Sequence, residues 1–190
     1  MEVLNIKDLE KEIKKYDPQI KPILTAKEKA RWKELQELNW SKIFVDFLKT
    51  KFNIQYELIG KNLELEGEGE DVFLQSKNKN LSNIHIQLTH ANEYDMEPTN
   101  KIKDVNVSGN CIIGAAVGKC SHYCENRINT EEIILLIQGI DESTKIKDLS
   151  EEASFLKIFK SIPCFKGIYY ITPNQVYPLK EAVFTNIIKS

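Results

Sequence analysis

Nothing in this 190-residue chain approaches the roughly 18 consecutive apolar residues that a membrane-crossing helix needs, so no membrane-spanning segment is expected. The first residues, MEVLNIKDLEKEIKK, lack the apolar core of a signal peptide, and the expected compartment is cytoplasmic. Neither sign of charge dominates: 26 Lys and Arg face 28 Asp and Glu, for a formal charge of −2. No global positive field draws in nucleic acid, so any such binding must use a local basic patch. Internal repeats and low-complexity tracts are missing, and so are G-x-S-x-G or comparable nucleophile motifs. Gly67 and Gly69 lack the frame of a phosphate loop, and Glu66, Glu68 and Glu70 around them would repel phosphate. Clear aromatic platforms for single strands are absent as well.

Cysteine is scarce, at Cys111, Cys120, Cys124 and Cys164. A chain neither small nor signal-bearing does not suggest a disulfide framework, so reduced thiols in or near the core are expected. The run Cys120-Ser-His122-Tyr-Cys124, with Cys111 as a fourth ligand, invites a zinc reading. On a helix, however, Cys120 and Cys124 share a face while His122 turns away, which favours core thiols beside an exposed histidine.

What is present describes an ordinary folded chain, 42% hydrophobic and 28% charged. Its length fits one α/β domain over 25–190, preceded by a helical extension over 1–24 that Pro18 and Pro22 interrupt. Thr25 and Glu28 form a capping-box pattern. From there to about Lys51, Trp32, Leu35, Leu38, Phe44, Phe47 and Leu48 recur at helical spacing. The other face carries Lys27, Lys29, Arg31, Lys33, Glu34 and Glu37, which reads as solvated surface. Asn53–Ile59 reads as a strand, and Asp71–Gln75 with Asn83–Thr89 as a hairpin within an antiparallel meander. A helix is expected over Cys111–Glu125, where Gly114 and Gly118 would let it lie close to a sheet. Glu132–Gln138 is a continuous apolar run, fitting a central strand covered on both faces. An amphipathic helix over 148–161, a strand at Gly167–Thr172 and a pairing segment at Gln175–Leu179 complete a mixed α/β order.

The hairpin carries the chemistry. In its second arm His85, Gln87 and Thr89 share one face, while Ile84, Ile86 and Leu88 take the other. With Asp71 at the start of the first arm, an acid and an amide carbonyl on neighbouring strands suggest a divalent-cation site. His90 at the strand end could join it. Lys77 and Lys79 at the tip, with Lys101 and Lys103 farther on, could touch a nucleic-acid backbone, although a solvated loop is the simpler description.

The order of helix, meander with an acid, strand with a spaced polar pair, helix and buried strand resembles the PD-(D/E)XK superfamily. That is the restriction-endonuclease-like fold. Glu70-Asp71 stands where the family has Pro-Asp, and Gln87-Leu88-Thr89 where it has (Glu/Gln)-X-Lys. The resemblance spans roughly Thr25 to Lys180. It implies a mixed sheet flanked by helices and Mg²⁺-dependent hydrolysis of DNA or RNA. Asp71 and Gln87 would be the metal ligands. Mg²⁺ takes hard oxygen ligands and keeps several waters, so few protein ligands suffice. Thr89 departs from the pattern, because a hydroxyl cannot supply the lysine's cation. Lys119 or Lys103 would have to replace it, and Glu34 or Glu37 would be the helix glutamate. The alternative is a non-catalytic protein on the same fold that binds a protein or nucleic-acid partner, such as an immunity or accessory protein.

Overall fold

The longest helix begins where its capping chemistry dictates. The backbone N–H of Glu28 donates to Thr25 Oγ1 at 3.3 Å, and the Thr25 N–H donates back to Glu28 Oε2 at 2.9 Å. Two of the N–H groups that a helix start leaves unpaired are thereby satisfied. This helix, α1 (Ala26–Phe52), ends at Asn53, whose left-handed backbone (φ 55°) directs its N–H to the carbonyls of Leu48 and Lys49. The strand expected from Asn53 therefore starts later, because Asn53 is committed to the cap. The computed structural model describes residues 11–15, 25–60, 72–91, 109–126, 129–139 and 153–184. Its elements after α1 are β1 (Tyr56–Gly60), β2 (Val72–Ser76), β3 (Ile84–His90), α2 (Gly109–Glu125), β4 (Ile133–Gln138), α3 (Ala153–Ser161), β5 (Gly167–Ile171) and β6 (Val176–Lys180). The protein is mixed α/β, and its strands hydrogen-bond in the order β1-β2-β3-β4-β5-β6. No helix among the described residues is long and apolar enough to cross a membrane.

The chain divides into two compact units, Met1–Ile86 with Asn186–Ser190, and Gln87–Thr185. In the first, β1, β2 and residues 84–86 of β3 form the expected antiparallel meander, with Val72 opposite Ile86 and Leu74 opposite Ile84. Period-two alternation puts those four apolar side chains on one face, all buried, while Phe73 and His85 meet on the other at 5.1 Å. α1 packs on β1 and β2 and buries Leu35, Leu38, Ser41, Phe44 and Leu48 at three- and four-residue steps. Glu37 corrects the sequence-based expectation: it is buried, with Lys33 Nζ 3.5 Å from its Oε1, and is no part of a solvated face. Arg31 bridges Glu34 at 2.8 Å and Glu12, in the helical segment 11–15, at 3.0 Å.

In the second unit, β4 is buried from Ile133 to Ile137, as a strand covered on both faces must be. It runs parallel to β5, and β6 returns antiparallel to β5. The connection between β4 and β5 carries α3, which buries Phe155 and Phe159 one turn apart. Leu135 and Ile137 share a core with Ile112, Ala116 and Tyr123 of α2 and with Phe155 and Phe159 of α3. Gly114 and Gly118 do not serve close packing, since a Cβ on either would meet nothing within 4 Å. Gly139 and Gly167 do: a Cβ on Gly139 would overlap the Tyr170 ring, and one on Gly167 would meet Ala182 Cβ and the Tyr169 ring at 2.9 Å.

Candidate functional site: a polar pair and a cysteine cluster around one helix

Helix α2 brings both sets of candidate residues together. Tyr123 is 1% exposed, and its hydroxyl donates a hydrogen bond to Gln87 Oε1. Gln87 is itself 4% exposed, and its Nε2 donates to the Leu88 carbonyl at 2.9 Å. The Tyr123 ring lies edge-on to Phe165, with centroids 5.4 Å apart. Both ends of the Gln87 amide are therefore engaged inside an apolar surround, where an unpaired polar group would be costly. Thr89 and Lys119 are half-buried, and His90 is exposed. His85 packs on Phe73. Lys77 and Lys79 stand exposed at the hairpin tip, which is organised by Ser76 Oγ donating to the Asn78 carbonyl at 2.9 Å. Asp71, Lys101 and Lys103 lie outside the described residues.

The cysteines depart from expectation. Cys120 and Cys164 are joined in a disulfide, with Cα atoms 5.6 Å apart, so the reading of four reduced thiols is corrected. The Cys124 Sγ lies 3.3 Å from that of Cys164. Sulfurs of Cys120, Cys124 and Cys164 all fall within 4.8 Å of one another, and Cys124 is exposed. As helix spacing requires, Cys120 and Cys124 share a face. His122 is exposed, and Asn126 Nδ2 donates to its carbonyl at 2.9 Å. Cys111, expected as a fourth ligand, is not in the group.

Cys164 is missing from every local motif and arrives by tertiary folding. Its turn, 162–166, is held by Lys180, whose Nζ donates to the carbonyls of Ile162 (2.9 Å), Cys164 (3.1 Å) and Phe165 (2.9 Å). Burial lowers the pKa of this lysine, while the three carbonyls satisfy its N–H groups. Phe165 adopts a left-handed backbone (φ 68°), and the Lys166 N–H donates to the Ile133 carbonyl of β4 at 2.8 Å. Lys166 Nζ also pairs with Glu132 at 3.0 Å. The turn is thus tied to the sheet on both sides of Cys164. Chemically, this edge of α2 can exchange sulfur partners or hold a thiophilic ion, whereas the Gln87–Tyr123 pair is saturated. No family model, no curated protein and no solved structure matches the chain.

Proposed function

We propose that this chain is a restriction-endonuclease-like domain that binds nucleic acid without hydrolysing it. The observation that carries this reading is the state of Gln87, buried with its amide oxygen taken by the Tyr123 hydroxyl. A Mg²⁺ ion at that oxygen would have to displace a phenol, and a neutral amide brings no charge to stabilise the ion. Thr89 leaves a phosphoryl transition state without the family's lysine cation at that position. Support for the lineage comes from the element order and the meander register. β2 pairs antiparallel with β3, with Val72 opposite Ile86, as the family's meander requires. Support for a nucleic-acid partner comes from Lys77 and Lys79, exposed on a short polar tip.

The antiparallel pairing of β2 with β3 also fits a second reading, an active Mg²⁺-dependent nuclease in which the sequence resemblance makes Asp71 the main ligand. One experiment separates the two. Labelled single- and double-stranded DNA and RNA are titrated by fluorescence anisotropy over a salt series, beside cleavage assays with Mg²⁺ and Mn²⁺. The expected result is salt-dependent binding without metal-dependent cleavage. Lys77→Ala with Lys79→Ala should lower the salt slope by roughly 1 for each phosphate no longer neutralised. Cleavage that Asp71→Ala abolishes would install the nuclease reading instead. No binding to any of the four ligands would remove nucleic acid as the partner.

A further inference from the structure

We propose that, once the Cys120–Cys164 bridge is reduced, Cys120, Cys124 and Cys164 bind one thiophilic metal ion of the Zn²⁺ type. A structural bridge requires two sulfurs, and here three converge from two elements within 4.8 Å. Around tetrahedral Zn²⁺, with Zn–S near 2.3 Å, sulfurs stand roughly 3.8 Å apart. Cys124 and Cys164 are already at 3.3 Å, so an ion would require small side-chain rotations rather than backbone movement. The helical i, i+4 spacing aims Cys120 and Cys124 the same way. Cys164 is held from behind by the turn that Lys180 and Lys166 fix. These carbonyl and ion-pair contacts hold the backbone that carries Cys164 in place.

The site has access to solvent because Cys124 is exposed at its rim. Among the described residues, no fourth His, Cys, Asp or Glu ligand joins the three sulfurs. The fourth position of the ion is therefore left to water or to an incoming ligand, the pattern of an open rather than a closed zinc site. The chemistry balances with a small thiol as reductant. Two thiol molecules become one disulfide, and Cys120 and Cys164 each gain a hydrogen as the bond between them breaks. Binding of the ion then releases the protons of three thiols to solvent.

The test uses the full chain, reduced with a small thiol, desalted without oxygen and titrated with Co²⁺, then Zn²⁺. The expected result is one Co²⁺ per chain, with a thiolate-to-cobalt charge-transfer band that Zn²⁺ removes. Cys124→Ser is the deciding variant, since an exposed side chain can change without loss of fold. It should weaken binding at least about tenfold, the lower end of what disturbing even an outer-shell partner costs. Cys111→Ser should bind like the parent. Absence of the band in reduced, folded protein would overturn the proposal. So would unchanged binding in Cys124→Ser, an equal loss in Cys111→Ser, or a bridge that resists reduction.

Discussion

Tyr123 and Cys124 are neighbours on α2, yet their surroundings set them to opposite work. Tyr123 is 1% exposed and its hydroxyl is spent on Gln87, whereas Cys124 is exposed with its sulfur 3.3 Å from a second sulfur. One residue along a helix turns a side chain by about 100°, enough to carry it from the core to the rim. A desolvated pair that satisfies itself resists any ligand, because the ligand must first undo a buried hydrogen bond. A sulfur at the rim can exchange partners without opening the core. Gln87, one of the two metal ligands that the sequence resemblance implies, is therefore less available than the Cys124 sulfur.

The largest expected effect falls on the sulfur side. Cys120 and Cys164 are 44 residues apart in sequence, and closing a loop of that length removes unfolded-state entropy worth about 4 kcal/mol. Cys164→Ser should lower stability by that order, read as a fall in the urea midpoint. Cys120→Ser should lose less, because Cys124 lies close enough to Cys164 to form a replacement bridge. Equal losses in the two variants would mean that Cys124 cannot take over, and the contrast between rim and core would weaken.

A second buried tyrosine tests the core side with pH. The Tyr169 hydroxyl accepts the Ala182 N–H at 3.0 Å. Burial pushes its pKa from 10.0 up to about 12, against the lowering effect of that hydrogen bond and with a small push from Glu181. A folded pKa raised above the unfolded value gives stability that is complete below pH 10 and lost as pH rises through 12. The loss should reach at most about 3 kcal/mol. Tyr169→Phe should flatten the profile between those limits, read by denaturant unfolding at each pH. A profile as steep as the parent's would assign the loss to other groups.

How much of this was legible follows from what local sequence can encode. The capping box at Thr25 and Glu28, the alternation around Ile84 and Ile86 and the apolar run of β4 are short-range signals, and each stands in the structure. Glu37 misled because an acidic residue on a charged helix reads as exposed until tertiary packing covers it. The i, i+4 spacing of Cys120 and Cys124 was visible, but nothing near Cys164 announces that its turn returns to α2. The strand that carries Gln87 is legible in its alternation. The partner of Gln87, 36 residues away on another element, is what fixes its role, and no periodicity carries that information.

The polar pair can be broken from either end. Tyr123→Phe leaves the Gln87 oxygen buried without its donor, at a cost of about 1–3 kcal/mol. Gln87→Leu strands the Tyr123 hydroxyl at a similar cost. The double variant removes both groups, and replacing both partners with apolar side chains of like shape is often nearly neutral. A double-mutant cycle should therefore show strong coupling between the two positions. Independent, additive losses would mean that the hydrogen bond does not hold Gln87. The amide would then be released for the metal role that its sequence position suggests.

The smallest expected effect is the most discriminating. Cys124→Ser, at an exposed position with the bridge intact, should change stability by less than about 0.5 kcal/mol. Adding Zn²⁺ to the oxidised parent should leave its thermal midpoint unchanged, because two of the three sulfurs are tied to each other. Reduced parent should instead gain stability as Zn²⁺ rises, since an ion bound only by the folded state shifts unfolding by mass action. Reduced Cys124→Ser should gain far less. If Zn²⁺ stabilised the oxidised and reduced forms alike, the ion would be acting elsewhere on the chain. The rim of α2 would then be a simple disulfide with a bystander thiol.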